Sequence, residues 1–424
     1  MRVVCSEGPE EIDASEGMAF SLYSMPGNPK IGRVGVSIPR EVRRAGLAVD
    51  PMSWDFLSIA LAVVAADEGC PREKSPDGWT RQIELTVSVQ GPEIWKANAA
   101  ALGAALGFLT GDVWSISFEG GGSPPPVRPK RKRHGQRTPS GDIVCLLSGG
   151  LDSLVGAIDL TEQGRNPVFV SQRASGDSKR QSSFASIIGP QLTHLQLSHA
   201  ARPPGLSERS QRARSVIFLA YGLIAASAIQ EDTSGVRTKL VVPENGFISM
   251  NVPLTDLRLG SLSTRTTHPY FLRQIQGVWD AVGLSVEMVN PYQHRTKGEM
   301  LVECADQDLL QKLASRSTSC GRFARYGYKH CGRCVPCLVR RAAFERWGIS
   351  DATQYKYGNL TVQRDFDDVR SLAMACLRVQ AVGVERWASG AINHAELGDP
   401  QPYLEMVDRG IEEARVLLRS SGVL

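Results

Sequence analysis

Two short stretches of the chain carry residue types at spacings suited to chemistry. The first is Ser148-Gly149-Gly150-Leu151-Asp152-Ser153. It ends an apolar run, Ile143 to Leu147, and opens a helically spaced one, Leu154 to Leu160. Strand, glycine turn and helix in that order gather unpaired backbone N–H groups and the positive end of a helix dipole, a setting that favours an anion. Glycines at 149 and 150 let the backbone come close to a phosphate, and Ser148 and Ser153 add hydroxyl donors. The lysine of a GxxxxGK[ST] loop is absent. The stretch therefore reads as a phosphate holder of another kind, against the plain alternative of an incidental two-glycine turn.

The second is TSCGRFARYGYKHCGRCVPCLVRR, residues 318 to 341, with Cys320 followed by Cys331, Cys334 and Cys337. Four thiolates can close a tetrahedral structural zinc site. Three cysteines three apart also occur in iron–sulfur ligation, so spacing leaves the metal open. His330 is a possible stand-in ligand. Read as purely structural, the knuckle predicts that Cys320→Ser lowers solubility more than it alters nucleotide recognition. Cys5, Cys70, Cys145, Cys304 and Cys376 are scattered and read as small buried hydrophobes.

The elements that must position these residues follow from the pattern around them. Strand-like runs at 143–147, 168–171, 195–197, 240–242 and 286–289 alternate with helical segments near 154–163, 178–188, 214–230 and 270–281. Such alternation predicts a parallel sheet covered on both faces, with ligand beyond the carboxyl ends of its strands. Residues 1–119 differ. Alternation at Val34, Val36, Ile38, at Ile83, Leu85, Val87, Val89 and at Trp114, Ile116, Phe118 flanks helices opening at Asp50-Pro51 and Pro92. That predicts an α+β domain of antiparallel type, without a catalytic constellation, for recognition or scaffolding.

Between them, residues 120–141 are rich in Gly and Pro, then basic. Arg128, Lys130, Arg131, Lys132, Arg133 and Arg137 supply more charge than the whole chain's net of +4, so the remainder is slightly acidic. This reads as a solvated tether, or as a basic strap that contacts a phosphate-bearing ligand or an acidic partner, and the chain as a whole does not read as a nucleic-acid binder. The hydrophobic content of 42% is that of a globular protein, and no apolar run reaches membrane-span length. The start of the chain lacks the layout of a secretory signal, so a cytoplasmic location with reduced thiols is expected. A helical region, 349–424, has amphipathic runs at 369–382 and 403–418.

SGGLDS resembles the SGGxDS loop of the PP-loop ATP pyrophosphatases. Paired with a late C…CGxCxxC cluster, it resembles the QueC family, which makes 7-cyano-7-deazaguanine from 7-carboxy-7-deazaguanine, ammonia and ATP. The resemblance covers about residues 142 to 345. It implies an α/β, HUP-like nucleotide-binding domain over 142–348, with ATP held by Ser148, Gly149, Gly150, Leu151, Asp152 and Ser153. Mg²⁺ would screen the phosphates, with Asp152 helping to place it, and Zn²⁺ would sit on Cys320, Cys331, Cys334 and Cys337. Arg214, opening RSVIFL, matches the arginine of the family's helix start, and Lys297 in NPY…KGE matches its lysine. Both would offset charge on phosphates or leaving groups.

The family's FVPGRN is here Ser210-Gln211-Arg212-Ala213-Arg214-Ser215, and its D-Y-G-Q is missing after the second strand, at 171–176. Both departures fall near the expected substrate pocket. The added N-terminal domain and tail make the layout similar to the longer QueC-like proteins of bacterial anti-phage systems such as Qat. That resemblance implies joining the deazaguanine acid to an amine of a partner protein, and a tethered domain without a catalytic constellation, residues 1–119, is expected to recruit that partner. The ordinary nitrile synthase, a PP-loop tRNA-modifying enzyme and a non-catalytic nucleotide sensor remain alternatives.

Overall fold

In the computed structural model the described residues are 1–11, 13, 16–127, 139–174, 176–208, 210–229, 236–254, 265–362 and 368–424. The basic strap from Arg128 to Arg137 lies outside them. Strands β1 (Arg2–Ser6), β2 (Gly17–Leu22), β3 (Gly32–Val34), β4 (Gln82–Ser88) and β5 (Val113–Glu119) form one sheet in the order β3-β2-β1-β4-β5. Every pairing in it is parallel, which corrects the antiparallel α+β reading. The alternation in β4 and β5 was real but reports exposure, not direction. Ile83, Leu85 and Val87 are buried, whereas Gln82 and Glu84 face solvent, and Thr86 Oγ1 meets Ser117 Oγ at 3.0 Å on the open face. The alternation at Val34 also ends early, because Ile38 opens α1 (Ile38–Ala45).

Helix α2 (Pro51–Gly69) starts on Asp50, whose side chain accepts from Ser53 N at 2.9 Å. It is buried on every side from Ser53 to Gly69. A helix apolar all round belongs in the middle of a fold, and α2 lies between the first sheet and a helix of the second half. Helix α3 (Pro92–Thr110) opens against buried Asp55, which accepts from Gln90 N and Gly91 N, both at 2.9 Å.

The second sheet is built from β6 (Ile143–Leu146), β7 (Pro167–Gln172), β8 (His194–Leu197), β9 (Thr238–Val241) and β10 (Val286–Val289). Its order is β10-β9-β6-β7-β8, again all parallel. Both sheets thus wind outward from their first strand in the same way. Their connections include α4 (Leu151–Glu162), α5 (Ser178–Ile188), α6 (Arg214–Ile229), α7 (Gly246–Ser249) and α8 (Pro269–Ala281). Helices α9 (Lys297–Glu303), α10 (Gln307–Ala314), α11 (Val335–Trp347), α12 (Asp368–Val382), α13 (Val384–Ile392) and α14 (Gln401–Ser420) follow. No described helix is long and apolar enough to cross a membrane.

The two sheets share one hydrophobic core, running from Val3 and Phe20 through α2 to Tyr221 and Trp279. Helix α2 packs on α6 and α3 on α8. Phe56 meets Trp279 edge-on at 5.4 Å. Arg212 stacks over Trp79 at 4.2 Å and donates to Thr110 O at 3.1 Å. The first 119 residues are therefore docked, where the linker had suggested a freely tethered domain. The tail is docked as well: α12 to α14 form a second core with Leu338 and Val339 of α11 and Phe247 of α7.

Two histidines, half-buried His194 and buried His268, should make the fold acid-sensitive. Burial pushes the His194 imidazole down to about 4, beside Ser171 Oγ at 2.9 Å. His268 is pushed to about 3 by burial, then by His394 and Arg265. Its Nδ1 accepts from Tyr270 N at 3.2 Å and caps α8. Below pH about 6.5 the unfolded chain binds protons that the folded chain refuses, so stability falls from about pH 6.5 toward 4, by up to about 3 kcal/mol per histidine. Asn also caps helices, so His268→Asn should keep the cap and flatten this slope. Urea unfolding at pH 7 and pH 4.5 checks it; equal pH dependence in the variant would refute the assignment.

Candidate active site

The 148–153 loop leaves β6 at the point where the neighbouring strands β7 and β9 diverge to opposite sides, the place where open parallel sheets hold ligands. Gly149 has φ of +86°, which a side chain would strain. A Cβ on Gly150 would come within 3.1 Å of Ser148 Oγ. The hydroxyls of Ser148 and Ser153 lie 3.0 Å apart. Ser153 Oγ donates to Gly150 O at 3.1 Å and accepts from Ser148 N at 3.2 Å. The loop is thus latched on itself, and buried Leu151 anchors it in the core beneath.

Asp152 stands in the first turn of α4, 5% exposed. It accepts from Asn245 N at 3.1 Å and Asn245 Nδ2 at 2.7 Å, and pairs with the Lys297 ammonium. Burial alone would raise its pKa, but Lys297, the Glu244 carboxyl and Asn245 together hold it well below the usual carboxylate range. Glu244, just past β9, behaves oppositely: burial, then the Asp152 charge, push its carboxyl well above the ordinary value. Two neighbouring carboxyls driven apart in this way share one negative charge. Lys297 is held at the start of α9, whose capping box joins Thr296 and Glu299. The tail locks that turn from behind: Arg409 Nε donates to Glu299 Oε1 at 2.6 Å, and Gly298 N to Glu413 at 3.3 Å.

These groups line a cleft of about 440 Å³ with the loop, Asp177 and the 318–321 segment. A second cleft of about 570 Å³ adjoins it, sharing Ser148, Ser153, Arg214 and Glu244 and extending to Gln172, Gln211 and Phe218. Exposed Arg214 opens α6 on the wall between them, its Nε donating to Gln172 Oε1 at 3.2 Å. Lys297 faces the first cleft with its ammonium already on Asp152, so the cation not committed to that pair is Arg214.

The four cysteines come together, all buried, with their sulfurs within 4.8 Å of one another. Cys331–Cys337 and Cys334–Cys320 are each 3.9 Å apart, against about 3.8 Å for thiolates set tetrahedrally on zinc at 2.3 Å. Backbone N–H groups point at the sulfurs, Cys331 N on Cys320 at 3.3 Å and Cys334 N on Cys331 at 3.2 Å, and stabilise thiolates. The donor set fits zinc. His330 is no ligand: its Nε2 accepts from Ser319 N at 3.1 Å.

The chain matches no family model. Over 234 residues it is 34% identical to the 7-cyano-7-deazaguanine synthase of Paracoccus denitrificans, covering 50% of this chain and 92% of that protein. The chain belongs to the 7-cyano-7-deazaguanine synthase family. The corresponding synthases of Brucella ovis and Brucella canis are 37% identical over 71 residues, 17% of this chain and 28% of each relative. It is a QueC-like, ATP-using enzyme of the ATP pyrophosphatase and ligase kind.

Within this QueC-like enzyme the knuckle does more than fold itself. Thr318 N donates to Gly149 O at 3.0 Å, and Thr318 bridges Gly150. The segment held by Cys320 therefore lies directly against the 148–153 loop, so the expected effect of Cys320→Ser extends from solubility to that loop. That variant, or zinc chelation, should weaken ATP binding by at least tenfold at temperatures where the protein stays folded; calorimetric titration with ATP checks it. Sequence reasoning also missed Glu244, Asn245 and Gln172. The available signal was position: each lies at or just past the carboxyl end of a strand flanking β6.

Proposed function

We propose that this enzyme adenylates the carboxylate of 7-carboxy-7-deazaguanine and joins the acyl group to an amine of a partner protein, in anti-phage defence, as a Qat-type member of its family. The observation that carries the adenylation is the glycine loop at the switch point of the second sheet, faced by Asp152, Glu244, Lys297 and Arg214. A carboxylate is a poor electrophile, since its leaving group would be oxide. A carboxylate oxygen attacks the α-phosphorus of ATP, the bond to the β-phosphate oxygen breaks, and pyrophosphate leaves. The amine then attacks the carbonyl, loses a proton, and AMP departs.

Ser148, Gly149, Gly150, Leu151 and Ser153 hold the phosphates through backbone N–H groups and hydroxyls, and Arg214 offsets charge on the leaving groups. Lys297 keeps Asp152 ionised and in place. The hard oxygen donors of Asp152 and Glu244 would hold Mg²⁺, which would supply charge neutralisation on the phosphates, and a cation there would offset the Asp152 charge that, with burial, raises the Glu244 carboxyl.

Support for a protein amine is the half of the chain outside the similarity to the synthase, together with the altered sequence at 171–176 and 210–215, of which Gln172, Gln211, Arg214 and Ser215 line the second cleft. In this reading residues 1–119 recruit the partner, 120–141 link, 142–348 catalyse, and 349–424 buttress. The second reading is the ordinary synthase, favoured by the 92% coverage of the Paracoccus protein. There the amine is ammonia, and a second adenylation, of the amide oxygen, followed by loss of AMP and a proton, gives the nitrile.

Incubation with ATP, Mg²⁺ and 7-carboxy-7-deazaguanine tests both. AMP with an added acyl mass on a protein encoded beside this gene supports the first. Nitrile from ammonia, with no protein adduct, supports the second. No AMP under either condition refutes the adenylation itself.

A further inference from the structure

Arg214 reaches the first sheet's unit through a single chain of polar contacts. Its Nε–H donates to Gln172 Oε1 at 3.2 Å. Gln172 Nε2 lies 3.1 Å from His199 Nδ1, and His199 Nε2 lies 3.4 Å from Glu68 Oε1. The polarity of every link follows from the first. Arginine has donors only, so Gln172 must turn its oxygen to Arg214 and its N–H to His199. His199 Nδ1 is then the accepting nitrogen, and the ring proton sits on Nε2, facing the Glu68 carboxylate.

Glu68 is buried in the last turn of α2, 6% exposed, and also accepts from Gln211 Nε2 at 3.2 Å. One residue earlier, Asp67 accepts from Ala213 N at 2.9 Å, immediately before Arg214. Asp67 is itself fixed by Arg81 at 2.5 Å. Adjacent acids at the end of one helix therefore hold both the backbone before Arg214 and, through two relays, its side chain. The Gln172 contact occupies Nε and aims the far edge of the guanidinium into the cleft, an orientation a solvated arginine would lose in rotamer disorder.

We propose that Glu68 and His199 are positioning residues that aim Arg214 at ATP through Gln172, so that the first sheet's unit tunes nucleotide binding from outside the cleft. This rests on the reading of Arg214 as a phosphate-facing group. The test is a double-mutant cycle on the full chain, with the affinity for ATP and Mg²⁺ measured by calorimetry. Arg214→Ala should weaken binding about tenfold, as for loss of a charge-assisted contact, and His199→Ala about fivefold. The double variant should bind no worse than Arg214→Ala alone, because residues acting through one another are not additive. His199→Gln can accept from Gln172 and donate to Glu68, and should restore affinity to within about twofold of wild type.

A His199→Ala loss of equal size with and without Arg214 overturns the positioning role while leaving Arg214 in the site. A His199→Gln loss as deep as that of alanine does the same. An Arg214→Ala protein that binds ATP like wild type overturns the Arg214 reading and this inference with it.

Discussion

Asp152→Ala should abolish AMP formation and also cost about 3–5 kcal/mol of stability, as removal of one partner of a buried ion pair does. Read from the loop motif alone, Asp152 is not expected to carry core packing, so its loss would leave the fold intact. Asp152 is instead buried, it takes two hydrogen bonds from Asn245, and it is the partner of Lys297, itself 5% exposed. Alanine leaves that ammonium without a counter-charge and two amide donors without an acceptor. The two losses can be separated. Adding Lys297→Met to Asp152→Ala removes the stranded charge and should recover most of the stability and none of the activity. Ser153→Ala strands no charge, since it removes only a hydroxyl that latches the loop and, in the proposed function, faces the phosphates. It should keep the wild-type urea midpoint and lose about a hundredfold or more in rate, as single oxyanion donors do. Asp152→Ala protein that unfolds like wild type and still releases AMP would sink both the pairing and the assignment of the loop.

The second half of the chain was legible because its signals are local. A hydrophobic run, two glycines and a helix fix β6, the loop and α4 within a score of residues, and the cysteine spacing fixes the knuckle. The first sheet was misread in direction because alternation reports which face is wet, and a parallel sheet with one open face alternates as an antiparallel one does. The clue to its docking was present in α2. Its residues from Ser53 to Gly69 are buried throughout, and a helix without a polar face needs cover on both sides. The long polar relays were not legible. Glu68 and Gln211 are 143 residues apart, as Glu244 and Asp152 are separated by the whole of β7 to β9. No spacing rule links such residues; only closure of the sheets does.

Deleting residues 1–119 should leave a chain that does not fold, where a tethered module would have left adenylation intact. The deletion uncovers the faces of α6 and α8 that now meet α2 and α3, and Tyr221, Ile224, Ile275 and Trp279 of these helices are fully buried in the core they share with them. Full burial of one large apolar side chain is worth about 1.5–3 kcal/mol, so four such residues match the whole stability of a typical domain, about 5–15 kcal/mol. The same cut strips Arg212 of Thr110 O, Arg265 of Phe108 O and Ala213 N of Asp67. Expression of 139–424 alone should give aggregated protein, and co-expression with 1–119 as a separate chain should restore a soluble, ATP-binding complex, because the interface is a core rather than a linker. A truncated chain that melts cooperatively and binds ATP with wild-type affinity would refute this. Partner recruitment must accordingly be sought where it can be lost without unfolding the enzyme. If residues 1–119 recruit a partner as proposed, the open face of the first sheet, with exposed Gln82, Glu84, Ser115 and Ser117, is where substitution can test it without unfolding the enzyme: Glu84→Arg with Ser115→Arg should then abolish partner capture and leave ATP binding unchanged.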